Sequence, residues 1–300
     1  MSSLNQVRYF LEVARAASIR EASERLNIAP SALSRQIQTL EASLGMPLFE
    51  RRPRGMVLTP AGEVYSRYAQ AIALESDRVR TELEELRGLR RGRVRVYTVE
   101  GIVADMLTRL IGEFHEKLPG ISFRLVTTGT DDVVAAVREG LADIGISFNA
   151  QPDTAVRFVR RFSDPLVALV HPAHPLADRG AVRFREILPF RLGVPEPGFG
   201  IRRLIDDECR RLGVSILPAL ETNSIEALRG FARSGAGVTL MSSQSSTREL
   251  AQGLVCKVGL QEPALLRSTL DVGVLAGRRL PNAASEFLAA LDRIFSGHGG

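Results

Sequence analysis

The chain has 300 residues, enough for two domains, or three, at ~100–200 residues each. A hydrophobic fraction of 45% and a charged fraction of 24% exclude a disordered or fibrous chain. The formal net charge of +5 lies wholly at the N-terminal end: residues 1–95 carry 16 Arg against 11 acids, and residues 96–300 carry 23 of each sign. A basic segment attracts phosphate; the alternative is a solvated surface that happens to be basic.

The first elements are helical. Leu4, Val7, Leu11 and Ala14, with Phe10 alongside, recur at helical spacing after Ser3, a suitable N-cap. Ser18, followed three residues later by Glu21, predicts a capping box and a second helix running to Leu26. Asn27-Ile28-Ala29 breaks it, and Pro30 suits the first turn of a third helix over 30–44. That helix has two faces. Leu33, Ile37, Leu40 and Leu44 form an apolar stripe, while Ser31, Ser34, Arg35 and Gln38 share another side. Short hydroxyls let a helix approach a duplex closely, and Arg and Gln match base edges and phosphates. Two short helices joined by a tight turn, the second with such a face, read as helix-turn-helix; the alternative is the corner of a three-helix bundle. After Gly45, residues 47–58 place two short apolar stretches around a basic turn. This predicts a β-ribbon wing with Arg51, Arg52 and Arg54 near the phosphate backbone or minor groove.

These residues resemble LysR-type transcriptional regulators. The groups Ser-Arg-Gln-Ile (34–37), Leu-Glu (40–41), Leu-Phe-Glu-Arg (48–51) and Leu-Thr-Pro-Ala-Gly (58–62) carry the resemblance, and the order of features agrees along the whole chain. It implies a winged helix-turn-helix at 1–58 that binds double-stranded operator DNA. It further implies a linker and dimerisation helix with its hinge at 59–91 and an effector-binding domain at 92–300. The implied partners are a small-molecule effector of unknown identity, further copies of the chain up to a homotetramer, and RNA polymerase. Two positions depart from the family's pattern: Pro30 stands where many members have Gln, and Ser242 or Ser243 where many have Pro.

Thr59-Pro60 is an N-cap with Pro at the first helical position. No breaker follows before Gly88, so this helix is expected to run about 29 residues, roughly 43 Å. Tyr65, Tyr68, Ile72, Val79 and Leu86 form an imperfect heptad stripe that needs a partner. The candidates are the chain's own head and, as the resemblance implies, a second subunit. Residues 87–92 read as a basic hinge.

Beyond the hinge the pattern is strand, helix, strand, helix, strand: Arg93–Val99, a stripe through Leu107 and Phe114, Ile121–Thr127, a helix opened by Gly129-Thr130-Asp131, and Ile144–Ile146. This predicts a parallel sheet in an α/β domain. A second set begins near Asp164, with a strand at Phe190–Val194 and helices at 200–212 and 224–234. Leu270–Leu275 and a helix at 282–295 return to the first set. Two α/β lobes with two crossovers, lobe I at about 92–163 and 268–300 and lobe II at about 164–267, resemble the periplasmic-binding-protein fold, which is what the family has here. Such lobes bind small molecules at strand C-terminal ends and close by hinge motion. The candidate effector residues are Thr98, Glu100, Gly101, Ile102, Thr128, Thr130, Ser147, Phe199, Ile201, Arg202 and Asn223, where strands end and helices begin. For each one, simple capping is the alternative role. Glu100 is unusual at an anion site: it either pairs with Arg202 or Arg203 or favours an amine on the effector.

An enzyme is not expected, because no HExxH, GxSxG or Walker motif occurs. His171-Pro-Ala-His174 reads as a surface turn rather than a metal site. Cys209 and Cys256 are far apart without CxxC partners, so neither a disulfide framework nor zinc is expected, and both read as reduced, partly buried thiols. No apolar run approaches ~18 residues. The polar start at Met1-Ser-Ser-Leu-Asn is unlike a secretory signal, which points to the cytoplasm and away from membranes.

Overall fold

The structure, a computed structural model, describes residues 4–52, 55–86 and 92–297. It divides into two compact units, Met1–Leu89 and Arg90–Gly300.

The first unit holds α1 (Leu4–Ala16), α2 (Ile19–Leu26), α3 (Pro30–Leu44), β1 (Phe49–Arg52), β2 (Gly55–Leu58) and α4 (Pro60–Leu86). Its core gathers Val7, Phe10 and Val13 of α1 with Ala22, Leu33, Ile37 and Leu40, closed by Leu48, Phe49, Tyr65 and Ala69. The Ser18 hydroxyl accepts from the Glu21 N–H at 3.3 Å. The Glu21 carboxylate pairs with Arg25 instead of returning to the cap, so the predicted box is half formed. Asn27 ends α2 at φ 56°, a left-handed geometry that Asn tolerates.

The two strands pair antiparallel, Phe49 opposite Leu58 and Arg52 opposite Gly55. Side chains on the flanking helices hold this wing in place. One Glu41 oxygen accepts from the N–H groups of Leu48 at 2.8 Å and Phe49 at 3.1 Å. Thr59 caps α4 through Gly62 N–H at 3.0 Å and donates its hydroxyl to the Pro47 carbonyl at 2.7 Å. A Cβ at Gly62 would stand 2.1 Å from the Leu48 carbonyl oxygen, so only glycine allows α4 to start so close to the wing.

The stripe on α4 divides between two environments. Tyr65 is buried, its ring 4.7 Å from that of Phe10 in an edge arrangement. Ala69 and Ile72 pack on the same head core. Tyr65 and Ile72 thus belong to the chain's own head, because α1 lies along the first half of α4 and takes up its apolar face. Val64, Tyr68, Val79 and Leu83 remain exposed. The side chain of Leu86, Gly88 and the hinge at 87–91 lie outside the described residues.

In the second unit, β3 (Gly92–Thr98), α5 (Thr108–Lys117), β4 (Ile121–Thr127), α6 (Thr130–Arg138), β5 (Ile144–Phe148) and β6 (Val156–Ser163) form most of one lobe. The other lobe comprises β7 (Leu166–Val170), β8 (Ala181–Val182), α7 (Phe184–Ile187), β9 (Leu192–Pro195), α8 (Gly200–Leu212), β10 (Leu220–Thr222), α9 (Ile225–Arg233), β11 (Val238–Ser242), α10 (Thr247–Ala251) and β12 (Cys256–Leu260). The chain then passes through α11 (Pro263–Leu266) to β13 (Thr269–Leu275) and α12 (Asn282–Gly297).

The sheets run β4-β3-β5-β13-β6 and β10-β9-β11-β7-β12-β8. Pairing is parallel among β3, β4 and β5. It is antiparallel where β13 meets β5 and β6, and where β7 meets β11 and β12. The sheets are therefore mixed rather than parallel: β7 and β13 are the first strands after each crossing and enter their sheets against the local direction. The crossings are tied together. Asp164 N–H donates to the Ser268 carbonyl at 3.0 Å, and the Ser268 hydroxyl to the Asp164 carbonyl at 2.8 Å.

Candidate functional site

Helical geometry sorts the side chains of α3. Leu33, Ile37 and Leu40 are buried, while Ser31, Arg35 and Gln38 are exposed and Ser34 is half-buried on the outer side. Ser34 meets the wing there: with Arg51, Arg52 and residues 17–19, 55 and 56 it lines an open groove of about 350 Å³. Three of the expected DNA-contacting residues thus share one concavity. Arg52 is paired with Glu50 at 3.0 Å. Among the described residues Arg35 and Arg51 have no carboxylate partner, so their guanidinium groups face solvent with their donors available for phosphate or base edges. Arg54 lies outside the described residues.

Between the lobes, Gly101, Ile102, Thr130, Phe199 and Ile201 line a cavity together with Val99, Phe148, Gly200, Ile225, Met241, Ser242, Ser245 and Leu270. Its volume is about 20 Å³, room for one water molecule. The polar side chains on its walls are engaged. Thr130 Oγ1 donates to the Phe148 carbonyl at 3.0 Å and accepts from its N–H at 3.3 Å. Ser245 Oγ donates to the Ser242 carbonyl. Ser242 and Ser243, one of which stands where the resemblance leads one to expect Pro, donate their hydroxyls to Asp164 at 2.7 and 3.0 Å, joined by the Gln244 N–H at 3.2 Å. Burial pushes the Asp164 carboxyl above its usual range, against the pull of these donors.

The remaining expected residues lie off the cavity. Thr98 is buried and bonds the Val99 carbonyl. Ser147 is buried with its hydroxyl toward the Asp271 carbonyl. Thr128 donates to Asp132 at 2.9 Å, and Asn223 is exposed ahead of α9. Arg202 points to Asp206, Glu221 and the Pro195 carbonyl, and Arg203 binds Asp131 at 3.0 Å. Glu100 therefore pairs with neither arginine. Its two oxygens accept from the backbone N–H groups of Ile225 at 2.8 Å and Glu226 at 3.2 Å, the first turn of α9. Sequence reasoning missed the walls supplied by Phe148, Ile225, Met241 and Leu270, whose apolar side chains read as ordinary core. The Glu100 contact left no signal in the sequence, because its partners are backbone N–H groups at the start of a helix that Ser224 already caps.

The other motifs serve structure. The Nδ1 atoms of His171 and His174 accept from the N–H groups of Ala173 and Leu176, closing a surface turn. Cys209 is buried and Cys256 half-buried, both free thiols. Among the described residues no group of His, Cys, Asp or Glu could hold a metal ion, and no helix is long and apolar enough to cross a membrane. An open groove of about 570 Å³ between α5 and α12, rimmed by Glu113, Lys117, Glu286 and Arg293, gathers none of the expected residues.

Two family descriptions match the chain: "Bacterial regulatory helix-turn-helix protein, lysR family" over residues 4–63 and "LysR substrate binding domain" over residues 87–295. An uncharacterized HTH-type transcriptional regulator of Mycobacterium bovis is 32% identical over 295 residues, covering 95% of this chain and 94% of that protein. Full-length OxyR from Pseudomonas aeruginosa superposes with a TM-score of 0.72 at 20% identity, covering 98% of this chain and 95% of its own. Full-length CbnR in complex with its target DNA superposes at 0.60 and 19% identity, covering 97% of this chain and 99% of its own. These two likenesses establish the fold: a winged helix-turn-helix head, a long linker helix and a two-lobe α/β domain. With both matched regions in the expected order, the chain belongs to the LysR family of DNA-binding transcriptional regulators, whose activity answers to a small-molecule effector.

Proposed function

We propose that Ser31, Ser34, Arg35, Gln38, Arg51, Arg52 and Arg54 contact operator DNA, with α3 in the major groove and the wing along the backbone or minor groove. The groove shared by Ser34, Arg51 and Arg52 carries this reading, because it sets a hydroxyl that tolerates close approach beside two cations. A small-molecule effector enters between the lobes through the cavity wall formed by Gly101, Ile102, Thr130, Phe199 and Ile201. It must part the lobes to do so, since the present space of about 20 Å³ holds one water. The 92–300 portion is its receptor, and the protein performs no catalysis and carries no cofactor. The exposed stripe of Val64, Tyr68, Val79 and Leu83 on α4 is the dimer seam, dimers pair into tetramers, and the assembly works in the cytoplasm with RNA polymerase.

Gel shifts over a salt series, with DNA from upstream of the protein's own or a neighbouring gene, test the DNA contacts. Arg35→Ala is expected to weaken operator binding by ~1–3 kcal/mol if the guanidinium bonds a base in bidentate fashion. Unchanged affinity together with an unchanged salt slope removes Arg35 from the interface.

A further inference from the structure

A helix leaves its first N–H groups without partners inside the helix, and its N-terminus carries partial positive charge. At α9 the local sequence satisfies one of these donors: the Ser224 hydroxyl accepts from Ala227 N–H at 3.2 Å. The two before it, on Ile225 and Glu226, are satisfied from the opposite lobe by the carboxylate of Glu100. A charged acceptor on two backbone donors is among the stronger hydrogen-bond arrangements. The next residue lets the two walls close, because a Cβ at Gly101 would stand 2.9 Å from that of Ser245. Elsewhere along the same seam, Asp131 N–H donates to the Gly198 carbonyl at 3.1 Å, and Arg203 pairs with the Asp131 carboxylate.

We propose that Glu100 is a built-in latch that holds the lobes shut before any effector arrives. The proposal rests on the reading of the cleft as the effector site and adds how that site is regulated. An effector larger than water enters only after Glu100 releases α9, so its apparent affinity is lowered by the fraction of molecules latched. The effector acts by shifting a closed population that the chain's own carboxylate maintains. The alternative role for the same contact is a helix cap with no influence beyond α9.

Amide hydrogen exchange of the full chain, without DNA or effector, separates the two roles. Glu100→Ala is expected to speed exchange at Ile225 and Glu226. It is also expected to speed exchange at Asp131, whose N–H bonds across the seam, by roughly tenfold, equivalent to ~1.4 kcal/mol. Gly101→Ala, which wedges the walls apart at Ser245, should raise exchange at Asp131 as well. Ser224→Ala removes a cap from α9 without touching the seam and should leave Asp131 unchanged. The latch is overturned if Glu100→Ala affects Ile225 and Glu226 alone, or if Ser224→Ala moves Asp131 as far as Glu100→Ala does. Because the measurement uses neither operator nor effector, its outcome is independent of the gel shifts.

Discussion

Tyr65 and Leu83 lie on the same helix and should fail in different ways when changed. Tyr65 is 7% exposed and packs edge-on against Phe10 in the head core. Removing a buried aromatic ring costs about 3–5 kcal/mol. For a domain of about this size, each kcal/mol lowers the melting temperature by ~4–8 °C, so Tyr65→Ala should lower the melting of the head by roughly 12 °C or more. Leu83 is 54% exposed. Leu83→Asp should change the stability of the head by no more than about 0.5 kcal/mol. In the proposed dimer, however, the new carboxylate is buried without a partner, at a cost of several kcal/mol, and dissociation should rise by two or more orders of magnitude. Light scattering across a concentration series, read beside thermal melts, separates the effects. An undisturbed oligomer in Leu83→Asp refutes the seam. A wild-type melt in Tyr65→Ala refutes the packing of α4 on the head.

How much of this was legible depends on whether a feature's partner lies nearby in sequence. Ser18, Pro30 and Thr59 each start a helix from within its first turn, and the helices of the head follow the expected spans within a residue or two. The apolar face of α3 was equally readable, since Leu33, Ile37 and Leu40 have one side to bury. The α4 stripe was ambiguous because a helix of 27 residues can give one half of its apolar surface to α1 and present the other half elsewhere. Periodicity marks a face without naming its partner. In the lobes, β7 and β11 are both five-residue runs buried throughout. Such runs carry no alternation to show which strand they pair with or in which direction, so the mixed sheet order was hidden. Glu100 was hidden for a related reason. The sequence displays Arg202 and Arg203 as charges, while the positive end of α9 consists of backbone N–H groups that no residue letter represents, 125 positions away.

Two further substitutions probe the joints of the fold. Gly62→Ala would normally favour a helix by ~0.5–1 kcal/mol. Here the added Cβ falls 2.1 Å from the Leu48 carbonyl oxygen, so a net destabilisation of about 1–3 kcal/mol is expected, together with weaker operator binding as the wing shifts. A head more stable to urea than wild type would contradict that packing. The crossover residue Asp164 makes a pH-dependent prediction. Burial holds its carboxyl above the ordinary value of 3.8, and the donors from Ser242, Ser243 and Gln244 only partly oppose this. The folded state therefore keeps the proton to higher pH than the unfolded state does. The resulting stability is fully present below the unfolded value, is lost as pH rises through the folded value, and is constant above it. Asp164→Asn cannot titrate. The stability of wild type relative to this variant should be greatest at the acid end and fall as pH rises above about 4, as measured by urea unfolding at matched pH. A difference that grows with pH would mean that the hydroxyl donors outweigh desolvation and that the crossover is stabilised by an ionised Asp164.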